Sequence, residues 1–281
     1  MSRYNGYTLA SYRLHLELWF RWCSIHHLPP LQAKRAHLEL WLRSLEQAGL
    51  SSSTRAQKFG IIHLFYKYAR IDRIIPESPT EHITRPRVLS GSRKLTWLPI
   101  LDSVALLSVA MKTGEREHVI VVILSQMALR VGELCSLNVS SIQRNQGWHV
   151  LRFKGKGGNI YERVIPIQVI SDLEKLIDGK DPDEPLVLNT RGDRMNRASV
   201  ARLVNKLAAR AGIFRPITPH GLRRSAATNM LAQGIPLRDV QLQLRHVDPK
   251  MTMRYDQGKN SIDRSAVLPY ASSQYGMLYT N

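Results

Sequence analysis

Between Pro76 and about Leu95 the sequence keeps no apolar period: Pro76, Pro79, Pro86 and Gly91 stand among basic and hydroxyl residues. Proline removes a backbone donor and biases the residue before it away from helix, so no long regular element runs through such a stretch. It reads as an interdomain linker that divides the 281-residue chain into two parts, 1–90 and 96–281, each large enough for its own core. Ahead of it, Leu9, Tyr12, Leu16, Trp19 and Cys23 recur at three- or four-residue intervals, which predicts an amphipathic helix over 7–25 that ends near Pro29-Pro30. Leu38, Trp41, Leu42 and Leu45 repeat the pattern up to Gly49, a C-terminal stop. The Ser51–Thr54 run then offers N-caps to a third helix striped by Ala56, Phe59, Ile62, Tyr66 and Ala69. Three or more antiparallel helices on short loops make a small bundle.

After the linker the periods alternate. A helix is expected near 99–111, and the apolar run from Val119 to Leu129 reads as a buried helix. Trp148–Phe153 and Ile160–Ile167 read as two strands joined by the turn-rich Lys154-Gly-Lys-Gly-Gly-Asn159, and Ser199–Ala211, Gly221–Ala232 and Leu237–Leu244 as further helices. The expected fold class is mainly α with a small antiparallel β-sheet: an N-terminal helical bundle followed by a C-terminal mixed α+β domain. No internal repeat or low-complexity tract is present.

Charge narrows the function. The formal net charge is +18, carried by both parts: 13 Lys and Arg against 6 Asp and Glu in residues 1–90, and 27 against 16 after them. A surplus spread over both parts is not a basic tail, and it selects a polyanionic partner, nucleic acid first, with a ribosome or membrane surface as the alternatives. Charge does not separate DNA from RNA. Cys23 and Cys135 lie far apart with no CxxC spacing, and there is no secretory signal and no run of about 18 apolar residues, so a reduced, cytoplasmic, membrane-free setting is expected. His26 and His27 have no companion ligands for a metal.

The chemistry lies in an ordered set of short motifs: Ala128-Leu-Arg-Val-Gly-Glu-Leu134, Gly155-Lys-Gly157, His220-Gly-Leu-Arg223, Leu244-Arg-His246 and Tyr255. Each alone is weak. Arg130 and Glu133 at i, i+3 suit an ordinary helical ion pair, Lys-Gly-Lys-Gly-Gly a mobile basic hairpin without the phosphate-binding P-loop pattern, and one of ten tyrosines is more often packing than catalysis. Their order and spacing carry the signal, including the nine residues from His246 to Tyr255. In these the chain resembles the tyrosine recombinase (phage integrase) family, over roughly 96–265 by motif and over the N-terminal part by size and position.

The resemblance implies a site-specific recombinase that cuts and rejoins DNA through a 3′-phosphotyrosine at Tyr255. A phosphodiester resists attack because its non-bridging oxygens are negative, and the five-coordinate transition state concentrates that charge. Arg130 and Arg223 offer permanently charged planar forks that meet phosphate oxygens bidentately. Lys156 resembles the family's general acid for the leaving 5′ oxygen, His220 assists proton handling, and His246 donates a hydrogen bond to the phosphate. Glu133 is expected to orient Arg130. No cofactor and no metal are implied, since the arginines supply the charge that Mg²⁺ supplies in a hydrolytic nuclease.

The implied partners are double-stranded DNA at specific recombination sites, clamped between the two parts, and three further copies in a homotetramer that joins two sites. Accessory DNA-bending or directionality proteins are also implied. The tail with Ile262, Val267 and Leu268 at helical spacing is expected to dock on a neighbouring protomer or on its own domain. Because the first helix begins at Tyr7, a minimal two-domain form is expected, in the manner of Xer-type resolvers and simple phage or mobile-element integrases. Two departures stand out: Met127-Ala128 where a Thr-Gly pair is common, and Arg245 where a Gly usually precedes the second His. A catalytically silent DNA-binding regulator of this fold, and a topoisomerase-like relaxing enzyme, are the alternatives.

Overall fold

The structure is a computed structural model. It describes residues 6–87, 97–155, 158–246, 248–253 and 255–256. The chain divides into two compact units, 1–94 and 95–281.

The first unit is built on α1 (Gly6–Ile25), α2 (Arg35–Gln47) and α3 (Ser52–Ile71). The expected third stripe is the buried one: Ala56, Phe59, Ile62, Tyr66 and Ala69 all face inward. Ser51 is the N-cap, its side chain accepting the Thr54 N–H. Gly49, after α2, takes φ +75°, a conformation that a side chain opposes. The core centres on Trp19, which stacks on Trp22 at 5.4 Å between centroids and meets Trp41 edge-on at 5.1 Å. Its indole N–H donates to the Tyr66 hydroxyl at 3.0 Å, and that hydroxyl donates to the Pro30 carbonyl at 2.6 Å. Tyr66→Phe strands both partners without changing the packed volume, and is expected to cost about 1–3 kcal/mol, measured by urea unfolding of the whole protein.

The start of the proline-rich stretch lies on this bundle. Ile75 and Thr80 are buried, the Thr80 hydroxyl pairs with His63 Nδ1 at 2.9 Å, and Glu81 accepts from Arg70 at 2.6 Å. A sequence without period can still be ordered when side-chain hydrogen bonds replace a backbone ladder.

In the second unit α4 (Ile100–Thr113) and α5 (Glu115–Ser125) pack together, and α5 is buried from Glu117 to Leu124 on every face. A helix enclosed on all sides needs no polar stripe, which is why its sequence is a run rather than a period. It ends four residues before Leu129, because Ala128 turns the chain at φ +57°. After the one-turn α6 (Val131–Cys135), three antiparallel strands follow in order: β1 (Ile142–Asn145), β2 (Trp148–Lys154) and β3 (Ile160–Val164). The pairings Leu151↔Arg163 and Phe153↔Tyr161 set the β2–β3 register, with Leu151 and Phe153 in the core.

Strand β1 is absent from the sequence reading. Only Ile142 of its four residues faces inward, so nothing alternates; it forms because Gln146 and Gly147, both at positive φ, fold it back as a two-residue hairpin. The rest is helical: α7 (Ile170–Ile177), α8 (Arg197–Arg210), α9 (Pro219–Ala232), α10 (Leu237–Leu244) and α11 (Pro249–Met253). Among the described residues no helix is long and apolar enough to cross a membrane. The tail positions Ile262, Val267 and Leu268 lie outside the described residues.

Candidate active site

Arg130 is the N-cap of α6, and a reciprocal cap fixes it. Glu133 accepts Arg130's backbone N–H on Oε2 at 2.8 Å and its guanidinium Nη1 on Oε1 at 3.0 Å. Burial alone raises the Glu133 carboxyl. The Arg130 N–H and the guanidinium groups of Arg245 and Arg130 outweigh it and hold the pKa below the ordinary carboxylate value. The Arg130 side chain stays 41% exposed.

Arg223 is carried by α9 and is 3% exposed. It donates Nη1–H to the Ala128 carbonyl and Nη2–H to the Leu244 carbonyl, tying together the chain reversals after α5 and α10. Burial first, and then the Arg130 charge, lower its pKa to about 10, which leaves it a cation at neutral pH. The two reversals are where the sequence departs from the pattern it resembles. Ala128 sits at φ +57° and Arg245 at φ +52°, in left-handed backbone that costs a non-glycine residue about 1–2 kcal/mol.

A cleft of about 500 Å³ opens between α6, the β2 end, α8 and the start of α9. Arg130, His220 and Arg223 line it together. So do Gly155, from the Gly155-Lys-Gly157 motif, and Lys154 and Arg197, which no motif singles out. Lys154 carried a signal, its place in the basic hairpin. Arg197 carried none; it reaches the site because α8 lays its guanidinium on Gly132, where a Cβ would come within 2.5 Å of Arg197 Nη2. Lys156 falls outside the described residues, between Gly155 and Gly158 of the sequence.

His220 lies in the first turn of α9, whose N-cap Thr218 accepts the Gly221 N–H at 3.0 Å. Desolvation in the cleft and the charges of Arg224, Arg223 and Arg130 lower its pKa. His246, 8% exposed, is held by a hydrogen bond between Nδ1 and the Thr252 hydroxyl at 2.9 Å, which leaves Nε2 free of that bond. Its ring centroid lies 5.9 Å from that of Tyr255, which is half-buried against a small cluster that includes Ala128, Ala226 and Leu231. Burial, then Arg223, Arg130 and His220, push the His246 pKa down to about 4.

An unfolded histidine binds its proton near pH 6.5 and His246 only near 4, so the unfolded state holds more protons between them. The contribution of His246 is complete above about pH 6.5 and is lost as pH falls toward 4, by up to about 3 kcal/mol. Urea unfolding at pH 7 and pH 5 is expected to show a larger acid loss in wild type than in His246→Gln. Among the described residues no three His, Cys, Asp or Glu side chains converge on a metal-sized site.

Two guanidinium groups lining one cleft, with a phenol beside an imidazole kept neutral by its surroundings, suit transfer of a phosphoryl ester to tyrosine, and the mostly helical domain around a small sheet is that of the tyrosine recombinases. The chain belongs to the phage integrase family: the family model described as "Phage integrase family" matches residues 100–261, and "Phage integrase, N-terminal SAM-like domain" matches residues 3–71. Among curated relatives, the tyrosine recombinase XerC of Pelobacter propionicus is 33% identical over 76% of this chain and 72% of its own length. The tyrosine recombinase XerD of Oceanobacillus iheyensis is 31% identical over 88% and 86%. Among solved structures, a lambda integrase dimer bound to a COC′ core site shares the fold at a TM-score of 0.73, covering 95% of this chain and 76% of that one at 15% identity.

Proposed function

We propose that this tyrosine recombinase cleaves and rejoins duplex DNA at specific recombination sites through Tyr255. The phenolic oxygen attacks the phosphorus, its proton passes to neutral His220, and the phosphorus–O5′ bond breaks as the 5′ oxygen takes a proton from Lys156. The result is a 3′-phosphotyrosine, and reversal by a new 5′ hydroxyl reseals the strand without an outside energy source. Arg130 and Arg223 hold the non-bridging oxygens as charge builds on them, and His246 donates Nε2–H to one of them, which requires Nδ1 to accept from the Thr252 hydroxyl. The observation that carries this reading is the joint presence of Arg130, Arg223 and His220 on one basic cleft, with His246, which packs ring to ring with Tyr255, within electrostatic reach of all three.

The net charge of +18 suits a clamp on a polyanion, with both units contacting phosphates and an affinity that falls steeply with salt. Four protomers join two DNA sites and exchange strands in pairs through a four-way junction. The protein works in the cytoplasm on chromosomal, plasmid or phage DNA, with accessory DNA-bending or directionality proteins setting the outcome. Arg245, the departure that would favour a silent regulator, lays its guanidinium on Glu133, Phe153 and Tyr161 rather than across the arginines of the cleft.

The test is covalent trapping. A nicked duplex bearing the recombination site loses a short 5′ fragment on cleavage and cannot be resealed, so wild type is expected to accumulate a protein–DNA adduct that survives denaturation. No adduct on a site demonstrably bound would overturn the reading. Relaxation of a supercoiled plasmid that lacks the site would move it to the topoisomerase-like alternative.

A further inference from the structure

Arg245 is at once strained, buried and highly connected. It ends α10 in left-handed backbone at φ +52°, a place where glycine is the undemanding residue. Its side chain, 8% exposed, crosses to a different part of the domain, where Nη2 meets Glu133 Oε2 at 2.5 Å. The same guanidinium lies 4.8 Å from the Phe153 ring centroid and 4.6 Å from that of Tyr161, the facing pair of β2 and β3. It also presses on the hairpin backbone: a Cβ on Gly155 would lie 2.6 Å from Arg245 Nη1. Arg163 of β3 strengthens the junction by donating to the Leu242 and Gln243 carbonyls of α10, both at 2.9 Å.

Glu133 thus stands between two cations with separate tasks. One oxygen holds the Arg130 guanidinium at the cleft, and the other takes the Arg130 backbone N–H together with Arg245. Without Arg245 the carboxylate is held from the Arg130 side alone. Pinned from behind by a planar fork that is itself sandwiched against two rings, it has one orientation left.

We propose that Arg245, braced against Phe153 and Tyr161, is a positioning residue for strand cleavage: it fixes Arg130 through Glu133. The proposal rests on the assignment of Arg130 to the cleavage machinery.

The experiment is a double-mutant cycle of Arg245→Ala and Glu133→Gln, read as the single-turnover rate of adduct formation on the nicked duplex, with DNA affinity and thermal unfolding measured alongside. Arg245→Ala is expected to slow cleavage about 10–100-fold, the penalty for a small misplacement of reacting groups, with DNA affinity changed less than about twofold. The double variant is expected to be no slower than the slower single one, since both remove the same support. The pH profile gives a readout that mere loss of folded protein does not. Glu133 faces Arg130, Arg245, Arg163 and Arg223, so removing Arg245 raises its carboxyl pKa and adds a Glu133-dependent fall to the acid limb that protonation of His220 and His246 sets. Glu133→Gln keeps the histidine limb and lacks the added fall.

Should Arg245→Ala fail to fold, Arg245→Lys carries the test, because it keeps the charge and loses the planar fork; an intermediate rate with the same insensitivity to Glu133→Gln is expected. Wild-type cleavage by an Arg245 variant would overturn the proposal, as would single-variant losses that multiply. Absence of any wild-type adduct would instead overturn the assignment of the cleavage reaction itself.

Discussion

Tyr255→Phe is expected to bind the recombination site as wild type does and to form no adduct at all, a loss on the order of 10⁶ in cleavage rate, as befits removal of a nucleophile. The substitution deletes one oxygen and leaves the ring. Packing of that ring against Ala128, Ala226 and Leu231, and its face toward His246, is therefore preserved. Stability is expected to stay within about 0.5 kcal/mol of wild type. Gel-shift titration on the intact site together with denaturing electrophoresis on the nicked one separates binding from chemistry. Residual adduct in the variant at more than about a thousandth of the wild-type rate would place the nucleophile elsewhere among the ten tyrosines.

Arg223→Lys and Arg130→Lys are expected to lose similar amounts of rate, about 10²–10³-fold each, and very different amounts of stability. Lysine keeps the charge and loses the fork, so neither variant can hold two phosphate oxygens at once. Arg223 is also structural: buried, it satisfies the Ala128 and Leu244 carbonyls at the two strained reversals. An ammonium has no geometry that reaches both, and a stranded buried carbonyl costs about 1–3 kcal/mol. Arg130 is half-exposed and its ion pair to Glu133 is worth about 1 kcal/mol or less at such a site. Single-turnover cleavage and urea unfolding of both variants check the pair. Equal stability losses would mean that Arg223 does not brace the two turns.

Both positions were legible as candidates, but only one half of the role of Arg223 was. The motif His220-Gly-Leu-Arg223 announces a phosphate ligand; nothing in it says that the same guanidinium closes the turns at 128 and 244. The two departures behaved similarly. Ala128 and Arg245 could be recognised as residues where glycine is usual, and each indeed occupies left-handed backbone. The sequence left open whether Arg245 would reach a phosphate, and its contacts with Glu133 and two rings come from elements 112 and about 90 residues away.

What the sequence determined by itself was whatever a local period or a local hydrogen bond can encode. The stripes of α1 to α3 and the Ser51 cap needed no partner to be read, because a 3.6-residue repeat and a hydroxyl three residues ahead of a free N–H are self-contained. The apolar run of α5 from Val119 to Leu124 and the order of the site motifs also needed no partner to be read. Tertiary structure alone decided where α5 stops, that β1 exists, that Thr80 holds the first proline-rich residues to His63, and that Lys154 and Arg197 face the same cleft as Arg130. Each of these depends on segments distant in the chain meeting at fixed distances, and such meetings are set by the packing of whole elements rather than by the residues nearest in sequence.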